Sequence, residues 1–528
     1  MPLLRPLETM RQLGEGAARW LRRVAARRAL PRSGAFWVSI ELPAPLHDVP
    51  GRFAGERAQT LLGVLQTLDA IADEPRVHGV LLSLRGEPGG LAAAQSLRRA
   101  LEAVRARGKA IAAWAESLDL VSLYVASAAD RLWIPETGRV HSVGLRADAY
   151  YLRDLLARVD VRPEVVRIGT HKSAGEMFTN QRMSDEQREQ LDAIVADHFD
   201  ALVEGIAAGR GRTTAQVREW IDRGRYTAAD AREAGLVDGC AYRDELEDRL
   251  GELASRRAAA PGRPPLVPAR ALWALRASAR SHFRAPTPRI AVLFASGAIS
   301  RGERARGIAS RAAEQMLAAL AEDERVRGVV LRIDSPGGDA LASDLLWRAV
   351  RELRRAKPVV ASVAEVAASG GYYIASAADC VIAERSSLTG SIGVIGGKLD
   401  LSGLFARLGV GLDAVERGAR AGMHSAARGF TDEERELVRS EMHALYDTFV
   451  ARVAEGRGLA TTAVERAAQG RVFTGGRALG LGLVDALGGP LEALAEVRRR
   501  AGLSRAEPVL VDLHPRVSAL RALSRWFV

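Results

Sequence analysis

Short β-branched apolar runs alternate along this chain with longer stretches in which Ala, Leu and Arg recur at helical spacing. In the second half, the pattern predicts strands at 290–294, 329–333, 359–363 and 380–383, and helices at 311–321, 340–355 and 370–377. Strand and helix follow each other in turn, which favours a largely parallel α/β sheet with crossover helices. Folds of this kind place their sites at the carboxyl ends of the strands.

The same pattern occurs twice in the chain. At an offset of 249 residues, the sequence ASAAD at 126–130 falls on ASAAD at 375–379. After a one-residue gap, Pro-Gly-Gly at 88–90 falls on Pro-Gly-Gly at 336–338. A period this long predicts duplicated domains rather than a solenoid. The length of 528 residues agrees, because it exceeds what one hydrophobic core usually serves.

The repeat and the composition together predict five regions. They are a basic amphipathic segment at 1–35, a first repeat at 36–253, a Pro/Arg-rich linker at 254–289, a second repeat at 290–505 and a basic tail at 506–528. We expect the linker to be extended because it is rich in proline, with a short helix near 269–281.

The net charge of +11 is concentrated outside the repeats. Residues 1–35 contain eight Arg and two Glu, and residues 254–289 contain eight Arg and no acidic residue. The folded repeats are therefore close to neutral and show no nucleic-acid-binding motif, which argues against a nucleic-acid partner. Localised basic segments suit an anionic membrane surface, although a solvated arm without a partner remains open.

Residues 1–35 also have an amphipathic pattern. Leu3, Leu7, Met10 and Leu13 recur at helical spacing beside several arginines, which is typical of a helix lying on a membrane interface. No apolar run approaches the roughly 20 residues that cross a bilayer, and the features of a secretory signal are not visible. We therefore expect a peripheral membrane association, with the cytoplasmic side favoured over the periplasmic side.

Ser369 is the candidate nucleophile. It follows a predicted strand, opens a predicted helix and precedes Gly370 and Gly371. The glycines let a substrate approach the backbone closely, and the helix start has free N–H groups that suit a developing oxyanion. The alternative is an ordinary serine N-cap, and the sequence lacks the Gly-x-Ser-x-Gly elbow of many hydrolases.

Lysine is the more informative candidate for the base that a serine nucleophile requires. Only four of the 75 basic residues are lysines, and lysine can lose its proton on burial whereas arginine cannot. Lys109 and Lys357 precede strands beside arginines, which predicts solvated surface positions, so Lys172 and Lys398 are the candidates. Of nine histidines, His171 has the most suggestive surroundings, but no His/Asp pair stands out.

The alignment of the two repeats connects Ser369 with Lys172. Ser369 falls opposite Leu120 of the first repeat, and Lys172 falls opposite Ala421 of the second. One repeat thus retains a potential nucleophile and the other a potential base, as expected if one site draws on both. The only two cysteines, Cys240 and Cys380, each end an apolar stretch and are expected to be small buried filler.

At these residues the sequence resembles the long bacterial form of signal peptide peptidase A, a serine protease family with a Ser–Lys dyad. The matching segments are 335–338 (SPGG), 366–373 (VAASGGYY), 389–393 (TGSIG) and 169–174 (GTHKSA). The resemblance implies a tandem Clp-protease/crotonase-like α/β fold, a homo-oligomeric ring, and cleavage of signal-peptide remnants or other apolar, unstructured peptides. Relatives commonly have a transmembrane anchor at the N-terminus, where this chain has its basic amphipathic segment.

The resemblance also implies roles for individual residues. Ser369 would be the nucleophile and Lys172 the general base, with the backbone N–H of Gly370 and one from Gly337 or Gly338 binding the oxyanion. This chemistry requires no metal and no organic cofactor. Two other functions stay open: a crotonase-like acyl-CoA enzyme, which would not need Ser369 or Lys172, and a catalytically inactive membrane-associated scaffold.

Overall fold

The computed structural model describes residues 30–31, 34–49, 59–256, 264–272, 288–303, 306–504 and 509–514. Nearly all of the predicted N-terminal segment, much of the linker and most of the tail lie outside the described residues. The strands are β1 (Phe36–Leu42), β2 (Val77–Leu84), β3 (Ala110–Ala115), β4 (Ser117–Asp119), β5 (Arg131–Ile134), β6 (Arg139–His141), β7 (Arg162–Ile168), β8 (Arg225–Thr227), β9 (Gly239–Cys240), β10 (Leu266–Pro268), β11 (Arg289–Ser296), β12 (Ile299–Ser300), β13 (Ile308–Ala309), β14 (Val326–Ser335), β15 (Val359–Ala368), β16 (Cys380–Ala383), β17 (Leu388–Gly390), β18 (Val394–Asp400), β19 (Val472–Thr474), β20 (Ala486–Leu487) and β21 (Leu510–His514).

The α-helices are also numbered in the order in which they occur along the chain. They are α1 (Leu61–Asp73), α2 (Leu91–Ala106), α3 (Leu120–Ala126), α4 (Arg153–Arg158), α5 (Glu176–Thr179), α6 (Asp185–Arg210), α7 (Thr214–Arg223), α8 (Ala228–Ala234), α9 (Leu246–Arg256), α10 (Ser310–Glu322), α11 (Ala340–Ala356), α12 (Gly370–Ala375), α13 (Ser402–Arg407), α14 (Asp432–Arg457), α15 (Thr461–Ala467), α16 (Gly475–Gly480) and α17 (Pro490–Arg500).

The elements predicted for the second half are confirmed. The strand predicted at 380–383 matches β16, and the strands predicted at 290–294, 329–333 and 359–363 lie inside β11, β14 and β15. The three predicted helices correspond to α10, α11 and α12 with end shifts of at most two residues. A fully buried apolar run does not show by its periodicity whether it is a strand or a helix. These runs were predicted as strands because they are short and rich in β-branched residues.

The chain forms two compact units, and both are discontinuous in sequence. Unit 1 comprises the described parts of 1–144, 199–290 and 490–528, and unit 2 comprises 145–198 and 291–489. The units therefore differ from the predicted repeats, because 145–198 leaves the first repeat for unit 2. The physical reason lies in β7, which pairs along its whole length with β18 of the second repeat.

Unit 1 has a parallel sheet with strand order β10-β1-β2-β3-β5-β9. Both faces are covered, as expected for a parallel sheet. One face packs in a large core with α1, α2 and α3, and the other buries Trp37, Trp114 and Trp133 against α9. β10 belongs to the predicted linker but pairs with β1, so this part of the linker is a sheet strand. Helix begins at 269, where the sequence predicted it, and 273–281 lie outside the described residues.

Unit 2 has a sheet with the order β19-β17-β15-β14-β11, in which β16 also pairs with β15, and β20 with β16. The ladders of β15 with β14, β16 and β17 are parallel, whereas β19 joins antiparallel. The core between this sheet and its helices contains Trp347, Tyr372, Phe449 and Val453. β7 and β18 form a separate antiparallel pair, and Val166 of β7 packs with Val438 of α14.

In unit 2, β15 runs directly into the candidate site. Its ten residues end at Ala368, and α12 begins at Gly370, so Ser369 is the single residue between strand and helix. The turn after β14 carries Gly337 and Gly338 beside it. The site thus lies at the carboxyl ends of adjacent parallel strands, as the sequence pattern predicted.

Within the part of the chain that the structure describes, no helix is both long and apolar enough to span a bilayer.

Candidate functional site

Ser369 has an unusual backbone conformation, with φ 53° and ψ −121°. A non-glycine residue at positive φ is strained, and such residues persist where surrounding contacts fix them. Here the N–H of Ser369 donates to the carbonyl oxygen of Gly390 at 2.9 Å, and its own carbonyl oxygen accepts from the N–H of Tyr373 at 2.9 Å. The side chain makes no capping hydrogen bond to α12, so the N-cap alternative does not describe it.

Lys172 lies in the turn after β7, next to a short 3₁₀ helix at Ser173–Gly175. The turn contacts the segment before β19, where the N–H of His171 donates to the carbonyl oxygen of Gln469 at 2.8 Å. A Cβ on Gly470 would lie 2.6 Å from the Cβ of Lys172, so glycine is required for this close approach. The lysine side chain is thereby buried, with 4% of its surface exposed.

The structure brings Lys172 and Ser369 together, although 197 positions separate them in sequence. Lys172 Nζ lies 3.1 Å from Ser369 Oγ, 2.9 Å from Ser391 Oγ and 3.0 Å from the carbonyl oxygen of Ser391. A neutral amine has two N–H groups and one lone pair. If both N–H groups are donated to the two Ser391 oxygens, the lone pair is directed at the hydroxyl of Ser369.

Burial lowers the pKa of Lys172 to about 8, well below the ordinary lysine value. The three oxygen atoms that contact Nζ belong to two hydroxyls and one carbonyl, and none belongs to a carboxylate. The charged form therefore loses its hydration without gaining an opposite charge, which is the arrangement that depresses a lysine pKa. Near neutral pH a usable fraction of the lysine is an unprotonated base.

The turn after β14 provides backbone N–H groups beside Ser369. The N–H of Gly337 donates to Ser335 Oγ at 3.2 Å, whereas no described group accepts from the N–H of Gly338 or Gly370. Of the two alternatives left open by the sequence, Gly338 is therefore the available donor. The turn tolerates only glycine, since a Cβ on Gly338 would lie 2.1 Å from the carbonyl oxygen of Ile299.

The other candidate bases have structural roles. Lys398 Nζ donates to the carbonyl oxygens of Met423 and Ser425 at 2.7 and 2.8 Å and does not contact Ser369. Burial, together with the neighbouring Arg471, lowers the pKa of His171, whose Nε2 contacts that arginine at 2.6 Å.

The prediction of a solvated surface position was wrong for Lys109 and does not hold for the Lys357 ammonium. Lys109 is only 7% exposed, and its Nζ binds the carbonyl oxygens of Glu74 and Val77 just after α1. Lys357 Nζ binds the last carbonyl oxygens around α10 at 2.6 and 2.5 Å. Both ammonium groups complement the carbonyl end of a helix, where unpaired acceptors accumulate. Cys380 is buried and Cys240 half-buried, as expected of filler.

Ser391 is the site residue to which the sequence analysis gave no role. It lies in the TGSIG segment that carried the resemblance, but hydroxyl residues in strand-end turns are common and nothing singled it out. In the structure it also has positive φ, 52°, and its N–H donates to the carbonyl oxygen of Arg471 at 2.7 Å. The backbone of Ser391 is thus fixed in a strained conformation that directs two oxygen atoms at Lys172 Nζ.

Comparison with known proteins identifies a family and relatives of the chain. The profile described as "Peptidase family S49" matches residues 103–257, from the first repeat to the start of the linker, and residues 351–504 of the second repeat. The chain is 32% identical over 458 residues to "Serine protease SPPA, chloroplastic" of Arabidopsis thaliana, covering 84% of this chain and 66% of the relative. It is 29% identical to "Protease 4" of Haemophilus influenzae, covering 85% of this chain and 74% of the relative. A shorter match, 37% over 190 residues, is to "Putative protease MJ0651" of Methanocaldococcus jannaschii.

Replacement of Lys172 by Met tests the burial of its charge through the pH dependence of stability. Burial lowers the pKa of the folded lysine to about 8 from 10.5, so between these pH values the unfolded chain binds a proton that the folded chain has released. Stability of the wild type should therefore rise across this range, by an amount on the order of 3 kcal/mol relative to Lys172→Met. Chemical unfolding of both proteins at pH 7 and pH 10 measures it. A stability difference that does not change with pH would contradict the buried-charge account.

Proposed function

The chain belongs to peptidase family S49 and is a serine-type peptidase, and we propose that it hydrolyses peptide bonds with Ser369 as nucleophile and Lys172 as general base. The observation that carries the proposal is the contact of Lys172 Nζ with Ser369 Oγ at 3.1 Å. This is a hydrogen-bond distance, across which the base can accept the hydroxyl proton. A crotonase-like acyl-CoA reaction would leave this contact, and the depressed lysine pKa, without a purpose.

The first half of the reaction is acyl transfer to the enzyme. Neutral Lys172 accepts the hydroxyl proton of Ser369 while Oγ bonds to the carbonyl carbon of the substrate. The negative charge that develops on the carbonyl oxygen is stabilised by the N–H groups of Gly338 and Gly370. Removing one donor of this kind typically costs a factor of about 10²–10³ in rate. Collapse of the intermediate breaks the C–N bond, and the lysine ammonium gives its proton to the leaving amine.

The second half releases the acyl group. Water attacks the ester carbon while Lys172 accepts its proton, in the manner of Ser–Lys variants of the catalytic triad. Collapse of this second intermediate breaks the bond to Ser369 Oγ, and the lysine ammonium returns the proton to that oxygen. Ser391 acts throughout as a positioning residue, because its two oxygen atoms fix the direction of the Nζ lone pair. No step requires a metal or an organic cofactor.

We propose that the substrates are apolar, unstructured peptides, including remnants of signal peptides. Support comes from α11, which begins two residues after Gly338 and exposes Leu341 and Leu345, at 51% and 40%. An apolar surface so close to the oxyanion turn suits apolar side chains on either side of the scissile bond. An extended substrate is also required, because the nucleophile is a half-buried residue at a strand end.

The basic segment at 1–35 supports a proposed peripheral contact with anionic membranes, on its sequence alone. An electrostatic attachment weakens as salt screens the charges. The protein should therefore sediment with vesicles that contain anionic lipid at low salt, and high salt should release it. Equal sedimentation with neutral vesicles, or binding that resists salt, would contradict this part of the proposal.

Variants of the dyad test the catalytic proposal with one assay. The wild type should cleave an apolar, unstructured peptide and react with a fluorophosphonate, at rates that rise with pH and level off above about 8, the pKa of Lys172. Ser369→Ala should abolish both reactions, Lys172→Met should lower the rate by about 10⁴-fold, and Ser391→Ala should lower it by about 10²-fold with KM little changed.

Lys398→Met is the matched control, because Lys398 is a half-buried lysine of unit 2 that binds carbonyl oxygens but does not contact Ser369. It should retain the activity of the wild type. Full activity in Lys172→Met together with loss in Lys398→Met would reverse the assignment of the base. A wild type that neither reacts with the fluorophosphonate nor cleaves the peptide would overturn the proposal as a whole.

A further inference from the structure

A buried carboxylate lies four residues after the candidate base. Glu176 begins α5 and is only 2% exposed. Its carboxylate contacts Arg167 Nη1 at 2.6 Å, Ser184 Oγ at 3.0 Å and Asn180 Nδ2 at 3.2 Å. The nearby Tyr151 hydroxyl carries no charge at neutral pH, because burial and Glu176 both raise its pKa. Among the described residues, Arg167 is therefore the one cation in contact with this carboxylate, and burial of a carboxylate is costly unless such a partner is present.

Arg167 projects from the face of the β7–β18 ladder on which the turn that carries Lys172 lies. It is opposite Ile395 in the ladder, and Val165 shares its face, two residues earlier in β7. A Cβ on Gly175 would lie 2.7 Å from Ile395 Cδ1 and 2.8 Å from Val165 Cγ1, so the turn packs directly on this face. Arg167 Nη1 also lies 3.5 Å from the carbonyl oxygen of Lys172. One guanidinium thus contacts both the backbone of the candidate base and the buried carboxylate.

A carboxylate without a partner at this position would act against the base. A negative charge near a buried lysine stabilises the ammonium and raises its pKa. The low pKa of Lys172 results from burial without an opposite charge. Because the guanidinium of Arg167 lies 2.6 Å from the carboxylate of Glu176, the two charges largely cancel at longer distances. The contact therefore fixes the turn to β7 without presenting a net negative charge to Lys172.

The other charged groups around the turn are neutral, paired or exposed. Burial, together with Arg471, lowers the pKa of His171, so its imidazole is neutral at the pH values where Lys172 titrates. Arg471 Nη2 in turn binds Glu189 Oε1 at 2.9 Å. Two charged side chains at the start of α6 are exposed to solvent, which screens them: Glu186 and Arg188. The balance of charge close to the base therefore depends on the pair that contacts the turn itself.

We propose that Arg167 and Glu176 are positioning residues for Lys172, and that their opposite charges must both be present for the lysine to act as a base. The inference rests on the proposed catalytic role of Lys172. The two residues flank the segment 169–174 that carries the lysine, so their contact closes the turn. Glu176 anchors the turn to β7 through Arg167, and Arg167 cancels the charge that this anchor places close to the base.

The pH dependence of kcat/KM separates this role from a merely structural one. It reports the pKa of the base in the free enzyme, so the midpoint of the wild type should be about 8. Arg167→Met leaves the carboxylate of Glu176 uncompensated and should raise the midpoint by about one pH unit. The double variant Arg167→Met, Glu176→Gln removes both charges. It should return the midpoint to that of the wild type, although the contact is still absent.

Two further variants are controls. Arg167→Lys keeps the positive charge and should keep the midpoint of the wild type. Arg428→Met removes the cation of a matched pair, because Arg428 also lies 2.6 Å from its partner Glu434. The side-chain exposures are 38% and 4% in that pair, against 39% and 2% in the pair of Arg167 and Glu176. In the described contacts neither Arg428 nor Glu434 touches the Lys172 turn, so Arg428→Met should also keep the midpoint.

Titration of reactive sites with a fluorophosphonate corrects each rate for the fraction of the variant that is folded, and the midpoint does not depend on that fraction. A midpoint in Arg167→Met equal to that of the wild type would overturn the inference. A double variant that keeps the upward shift, or an equal shift in Arg428→Met, would overturn it as well. In these three cases the wild type still cleaves the peptide, so the proposed function stands. An inactive wild type would instead overturn the proposed function and this inference with it.

Discussion

The burial of the Lys172 ammonium beside Ser369 is the interaction on which the rest of the site depends. A lysine that lost its hydration and gained a carboxylate would remain charged and could not act as a base. Here Nζ contacts only two hydroxyls and one carbonyl, so burial lowers its pKa to about 8. The packing of unit 2 around the β7 turn must compensate both for the cost of this burial and for the strained backbone of Ser391.

Two of the four non-glycine residues with positive φ in the described part of the chain are serines of the site. Ser369 and Ser391 both have positive φ, and each follows a parallel strand or its turn at the same edge of the sheet. The N–H of Ser369 donates to the carbonyl oxygen of Gly390, and the N–H of Ser391 donates to that of Arg471. Backbone at the neighbouring strand ends therefore fixes both conformations. The hydroxyl of Ser369 therefore faces the lysine instead of capping the helix that it precedes. Preorganisation of this kind lets the site act without rearrangement.

The sequence predicted the strands and helices of unit 2 and the pair Ser369–Lys172, because both predictions rest on patterns that are visible in the sequence itself. Apolar runs with β-branched residues identify buried strands, and the alignment of repeats identifies a residue type that only one copy retains. The role of Ser391 was not predictable, because its contact with Lys172 spans 219 positions and has no local pattern. Lys109 was misjudged for the same reason: its partners are backbone carbonyl oxygens after α1, and any sequence has those.

The discontinuous units were equally hidden. The repeat boundaries suggested one domain for each copy, yet 145–198 belongs to unit 2 because β7 pairs with β18. Segments of both repeats thus combine in unit 2, and the candidate residues Ser369 and Lys172 come from different repeats. Their counterparts in the other repeat, Leu120 and Ala421, have neither a hydroxyl nor an amine.

A crystal structure of the protein after reaction with a fluorophosphonate tests the central claim most directly. We predict a covalent bond from phosphorus to Ser369 Oγ, with the phosphoryl oxygen about 2.7–3.1 Å from the backbone nitrogen atoms of Gly338 and Gly370, and with Lys172 Nζ still bound to Ser391. Phosphorus attached to another residue, or a phosphoryl oxygen directed away from both glycines, would contradict it.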